Sequence, residues 1–366
     1  MTPRRIVLLA GLCAVTAAIA LEAGVRLFVP MTDEFFRPDP VAGLLHIEGR
    51  EGRSVSREFD VRVRINADGF HDRERARAKA PGTRRVVVLG DSITKALQVP
   101  LDDTFTARLE RRLATDGRAV EVLNLGVSAL GPPQEYLVYR AYGARYAPEV
   151  VVLTFFTAND FSDSLPELGG RAYLRYPVVG AGGTLARTAD GEVAFTVPVA
   201  PSRARQWLRT HVASYRFVRE RVLPLGPAAA IANDDVMLES YRDPLPERWQ
   251  RATRVALLMV EELERAVRRD GARLVVLIVP APWEVDGAYR ARRAALRAAA
   301  VDWSRPERRL QDGLRARSIA VVSVSEAFAA AIARGARLYF PDDGHLTAAG
   351  HALVAEHVAA ALDREP

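Results

Sequence analysis

Val86-Val87-Val88-Leu89-Gly90-Asp91-Ser92 is the stretch that decides the fold. Four consecutive apolar residues without alternation read as a short strand buried on both faces, as in a parallel sheet covered by helices. Gly90-Asp91 turns the chain, and the sequence after Ser92 is compatible with a helix. Ser92 therefore falls at the carboxyl end of a strand, where open α/β sheets meet their ligands. Taken alone, Gly-Asp-Ser is an ordinary turn.

Outward from this point the same rhythm recurs. Residues 120–125 read as a second strand, 133–146 as a helix and 150–156 as a third strand. Asp102 or Asp103 is placed to cap a helix in which Phe105, Leu109 and Leu113 repeat every four residues. Further on, Val255, Leu258, Met259, Leu263, Ala266 and Val267 form the apolar stripe of a helix over residues 247–269. Strands at 274–279 and 319–324 flank a helix at 307–317, and a closing helix covers 347–362. This alternation predicts an α/β fold, with a parallel sheet between helical layers. The rhythm breaks over residues 161–246, an insertion after the third strand. Within it, residues 184–187 and 193–197 flank Asp190-Gly191 as a hairpin, and 203–222 read as helical. An insertion of this length either shapes a site or decorates the surface.

The amino terminus carries a different signal. Arg4 and Arg5 precede an apolar run over residues 6–21, after which Glu22 and Arg26 stand four residues apart and can pair. The run is short of the ~20 residues that cross a bilayer, but a helix continuing to Val29 suffices. Positive charge at its start directs the rest of the chain out of the cytoplasm. Ala18-Ile19-Ala20 also fits a signal-peptidase site, so residues 1–30 are a membrane anchor or a cleaved signal, and both export the remainder. Leu12 before Cys13 argues against a lipoprotein. Residues 31–82 form an amino-terminal extension, in which Phe59, Val61, Val63 and Ile65 alternate with polar residues as a half-buried strand. The main domain is assigned to 83–366.

The 366 residues are 49% hydrophobic, which supports a substantial core. Net charge is +6, yet only Lys79 and Lys95 are lysines, and the arginines are interleaved with acids. No basic stripe with interleaved aromatics is present, which argues against a nucleic-acid partner. Cys13 is the single cysteine, so the chain has no internal disulfide and no cysteine-based metal site. No close His/Asp cluster offers three ligands, and neither a metal nor a cofactor is expected.

Four separated blocks end predicted strands or precede helices: Gly90-Asp91-Ser92, Asn124-Leu125-Gly126, Asn159-Asp160 and Asp342-Asp343-Gly344-His345. Converging at one crevice, they supply the parts of acyl-ester chemistry. Ser92 is the nucleophile. The backbone N–H groups of Ser92 and Gly126, with the Asn159 side-chain amide, make an oxyanion hole. His345 is the base among six histidines, because it alone sits in a loop just before a helix with acids two and three positions earlier. Asp342 is chosen over Asp343 to orient it.

In this order the blocks resemble those of the SGNH hydrolases, the GDSL esterase and lipase family, over residues 84–362. Ser92, Gly126, Asn159 and His345 match the four name-giving residues, and Asp342 with His345 matches the family's Asp-x-x-His block. Leu21-Glu22 through Phe28 and Ile65-Asn66-Ala67-Asp68-Gly69-Phe70 look like the membrane-anchored bacterial branch. The resemblance implies a flavodoxin-like three-layer α/β/α fold and metal-independent hydrolysis or transfer of acyl esters. Two departures stand out. Thr157 occupies the place of a usual glycine two residues before Asn159, and Lys95-Ala96 stands where an aromatic residue and glycine are usual. The expected substrate is a short acyl ester, acetyl first, borne by an envelope glycan or lipid. O-acyl transfer to a polysaccharide hydroxyl is the alternative, and a catalytically silent binding protein of the same fold is the rival.

Overall fold

The runs that lack alternation in the sequence are the central strands of the protein. The computed structural model describes residues 2–114, 119–199, 202–222, 234–292, 296 and 300–363. Its main sheet contains β5 (Arg84–Leu89), β6 (Val120–Asn124), β7 (Val150–Phe156), β8 (Arg273–Val279) and β9 (Ala320–Ser323), preceded by four short strands given below. All neighbours are parallel, in the order β6-β5-β7-β8-β9. Numbered within the sheet this is 2-1-3-4-5, the flavodoxin-like order.

Successive strand residues supply two separate cores, which is why both faces had to be apolar. Val86, Val88, Val152 and Leu277 face Phe105, Phe328, Val354 and Val358 on one side. Val87, Leu89, Leu153 and Val276 face Tyr139, Met259, Leu263 and Leu310 on the other. The helices are α1 (Pro3–Phe28), α2 (Phe105–Leu113), α3 (Pro132–Val138), α4 (Arg203–His211), α5 (Glu247–Arg269), α6 (Arg305–Arg315), α7 (Ser325–Ala333) and α8 (Ala348–Asp363), besides shorter turns. The fold is thus α/β with helical layers on both faces of a parallel sheet.

Several local expectations change. Thr104, not Asp102 or Asp103, caps α2 by accepting from the Ala107 N–H, because the two aspartates lie in a 3-10 turn before it. The helix expected over 133–146 is regular only through Val138, then widens and tightens in successive turns to Tyr146. The helix expected over 203–222 breaks at Val212, whose backbone is extended. Around Asp190-Gly191 the chain does reverse, but Arg187 and Val193 make only an isolated antiparallel bridge.

The extension holds two hairpins where one strand was foreseen. β1 (Phe36–Asp39) pairs with β2 (Gly43–His46), and β3 (Glu51–Val55) with β4 (Asp60–Arg64). Ala42, Leu45 and Phe70 join the same core as Val87 and Leu125. At the amino terminus, α1 is long and apolar enough to cross a membrane, and none of its most apolar window is buried against the protein.

Candidate active site

Ser92 begins a single helical turn, Ser92–Lys95, directly after β5. Asp91 caps that turn, its Oδ1 accepting from the Ile93 N–H at 2.8 Å. His345 arrives from the loop before α8, and its Nε2 lies 2.8 Å from Ser92 Oγ. Its Nδ1 lies 2.6 Å from Asp343 Oδ1. Hydroxyl, imidazole and carboxylate therefore form one hydrogen-bonded line across 253 residues of sequence separation.

The choice of Asp342 is corrected by this geometry. Asp343 also accepts from the His345 backbone N–H, at 3.3 Å, whereas the Asp342 side chain has no hydrogen bond to the histidine. The loop is gripped from the extension: Glu58 Oε2 accepts from the Asp342 N–H at 3.0 Å and the Asp343 N–H at 2.7 Å. That grip turns the second carboxylate toward the imidazole. Burial works to raise the Asp343 carboxyl, but the hydrogen bonds and charge of His345, together with the Lys95 cation, outweigh it and hold the group below the usual carboxylate range.

The three expected oxyanion donors differ in availability. The Ser92 N–H has no acceptor among the described residues. The Gly126 N–H is taken by Asn124 Oδ1 at 2.9 Å, the ordinary consequence of an Asn two positions before it. Gly126 is nonetheless obligatory, because an added Cβ would stand 2.4 Å from the Lys95 backbone nitrogen. It lets the loop after β6 pack directly on the turn that carries Ser92, an arrangement locked by Asn124 Nδ2 donating to Thr94 O at 2.8 Å. Asn159 lines the site, but its Nδ2 donates to Asp91 Oδ2 at 3.0 Å and Asp163 Oδ2 at 2.9 Å.

Beside Ser92 and His345 opens a cavity of about 370 Å³. The insertion supplies Ser162, Asp163, Leu168, Arg171, Val236 and Met237 to its wall, and Trp249 and Trp283 add aromatic surface. Arg171 is paired with Asp163. Burial nevertheless pushes the Asp163 carboxyl up to about 6. Lys95 is 6% exposed and also lines the cavity, its ammonium 5.4 Å from the Phe36 ring centre. Burial lowers it to about 8 against the attraction of Asp343 and Asp91, so it remains a cation at neutral pH. Thr157 has a structural task. Its hydroxyl donates to Glu284 and accepts from the Ala281 N–H at 2.8 Å, tying the loop after β7 to the one after β8.

Sequence reasoning missed Asp343, Asn124, Glu58 and Asp163. Only Asn124 and Asp343 carried a local signal, as members of the quoted blocks. Among the described residues, no group of three His, Cys, Asp or Glu could hold a metal ion.

Comparison with known proteins adds one family. Residues 239–366 match the SGNH hydrolase-like domain of the acetyltransferase AlgX. The matched part contains Asp343 and His345 and begins after Ser92. No curated protein matches the sequence. Among solved structures, similarity is found to TesA, at 16% identity over 77% of this chain and 99% of that one, with a TM-score of 0.38. The acetyl xylan esterase AlAXEase is 12% identical over 76% of this chain and 99% of its own, with a TM-score of 0.40. A catalytic mutant of Axe2, an acetylxylan esterase from Geobacillus stearothermophilus, is 10% identical over 77% and 94%, also at 0.40. Likenesses at these scores carry no argument about activity.

Proposed function

We propose that the protein is a serine-dependent acyl-ester enzyme, acting on short acyl groups outside the cytoplasm through an acyl-serine intermediate. The observation that carries this reading is the continuous line Asp343–His345–Ser92, with bonds of 2.6 and 2.8 Å, opening on a cavity large enough for an ester. His345 Nε2 takes the Ser92 proton as Oγ attacks the carbonyl carbon. Asp343 holds Nδ1–H and stabilises the imidazolium so formed. The tetrahedral oxyanion meets the Ser92 N–H and, once its amide turns from the Asp91 carboxylate, Asn159. The nearby Lys95 cation favours the same charge. His345 then returns its proton to the departing alkoxide, leaving acyl-serine. Water, deprotonated by His345, attacks the acyl carbon and releases the acid and the serine.

Transfer to a glycan hydroxyl instead of water is a second reading, favoured by the match to a domain described for an acetyltransferase. The same residues serve both, and the acceptor alone differs. Arg4 and Arg5 in the first turn of α1 support an anchor whose carboxyl end leads out of the cytoplasm.

Full-length protein in detergent should release p-nitrophenol from p-nitrophenyl acetate and react with a fluorophosphonate probe. Ser92→Ala should abolish both. Equal rates for the two proteins refute the assignment of Ser92, and transfer of acetyl to an added polysaccharide in preference to water selects the second reading.

A further inference from the structure

The carboxyl-terminal end of α1 is fastened to the insertion. Glu22 accepts from the backbone N–H groups of Ala213 and Ser214 at 2.9 and 2.8 Å and from the Ser214 hydroxyl at 2.7 Å. Arg26, paired with Glu22 at 2.7 Å, donates to the carbonyl of His211 at 2.6 Å. A residue of one helix thereby caps the start of another, Ala213–Phe217. At about 1.5 Å per residue, the apolar run over residues 6–21 covers roughly 24 Å of a hydrocarbon layer about 30 Å thick. Glu22 thus stands near the outer edge of that layer and Arg26, one turn further, at the level of the headgroups, and α4 with the turns after it is held there.

The surface of α4 is divided accordingly. One side faces the extension, through Gln206 donating to Phe36 O and Arg209 to Glu34. The other side has no cover among the described residues. Trp207 is 57% exposed and stacks on His211, one helical turn along. Arg203, on the same side of the helix as Trp207, and Arg221 are exposed and make no ion pair among the described residues, and Val222 is 57% exposed. An indole with unpaired guanidinium groups beside a membrane-crossing helix suits an interface, where the ring sits among headgroups and the cations meet phosphates.

We infer that the uncovered side of α4, with Trp207 and the arginines around it, rests on the lipid surface and selects anionic headgroups. The inference depends on α1 spanning the membrane. Its effect is to fix the orientation of the insertion, and hence of the cavity wall that the insertion supplies, relative to the bilayer.

The test uses the full chain reconstituted in phosphatidylcholine vesicles, with and without phosphatidylglycerol, containing lipids brominated near the headgroup. Tryptophan emission should be quenched, more strongly with phosphatidylglycerol, and high salt should reverse the increment. Trp207→Phe should remove the lipid-dependent quenching while leaving far-UV circular dichroism unchanged. A chain that resists carbonate extraction but shows the same quenching with and without Trp207 overturns the inference alone. A chain released by carbonate overturns the anchor reading and the inference with it. Trp207-dependent quenching indifferent to phosphatidylglycerol refutes the selection of anionic headgroups.

Discussion

Replacing Asp343 by Asn separates the two adjacent carboxylates by their effect on rate. The amide keeps the shape of the side chain and an oxygen that can accept from the His345 backbone N–H, as Asp343 Oδ1 does at 3.3 Å. What disappears is the negative charge 2.6 Å from Nδ1, which stabilises the imidazolium. The equivalent change in a buried Ser-His-Asp triad costs ~10⁴ in turnover. Here the His345 and Asp343 side chains are 25% and 23% exposed, so water softens the loss. A fall of about 10³ is expected, equivalent to roughly 4 kcal/mol at the transition state. Asp342→Asn should stay within about twofold, since its loop is held by backbone donation to Glu58 rather than by its carboxylate. The assay is kcat/KM on p-nitrophenyl acetate, with the rate of fluorophosphonate labelling as a second readout of Ser92 nucleophilicity. Comparable losses in the two variants, or full activity of Asp343→Asn, would refute the reasoning.

Gly126→Ala should lower both the thermal midpoint and turnover, because the new methyl would stand 2.4 Å from Lys95 N and 2.7 Å from Thr94 C, so backbone must move. Overpacking of this kind costs ~1–3 kcal/mol, and a variant of unchanged stability and activity contradicts the close packing described. Glu284 gives a pH signature. Burial raises its carboxyl from 4.5 to about 7, so between those values the folded state binds the extra proton and stability falls as pH rises. The contribution is roughly 3 kcal/mol across that window. The buried His46, His71 and His351, lowered by burial to about 3, 4 and 3, act in the opposite sense up to about 6.5. The readout is therefore the difference between wild type and Glu284→Gln in unfolding free energy at pH 5 and 7.5, and parallel profiles would contradict the assignment.

The central strands were legible because burial on both faces leaves no room for polar residues, so Val86-Val87-Val88-Leu89 has a single reading. The helix over Glu247–Arg269 was equally plain, with its apolar stripe and a polar opposite face. Elements held by distant partners were not legible. The break at Val212 accompanies Glu22 capping Ala213 and Ser214 from 191 and 192 residues away. The same holds inside the site. Two aspartates at 342 and 343 were both within reach of His345, and Glu58, 284 residues upstream of Asp342, selects between them. Gly126 was singled out for a free N–H, but Asn124 engages it, and the glycine's value lies in the space it leaves for Lys95. Thr157, which departs from the family pattern, is accounted for only by Glu284 and Ala281 across the sheet.

Ser92 follows β5, the first strand of the main sheet in chain order, and the imidazole comes from the loop before α8. α8 reaches back to the first helical layer, where the Phe105 N–H donates to His351 Nδ1. Synthesis from the amino end therefore delivers the Ser92 hydroxyl 253 residues before the imidazole that meets it. On the proposed reading, Ser92 stays unactivated in an emerging polypeptide until the loop carrying His345 has docked beside it.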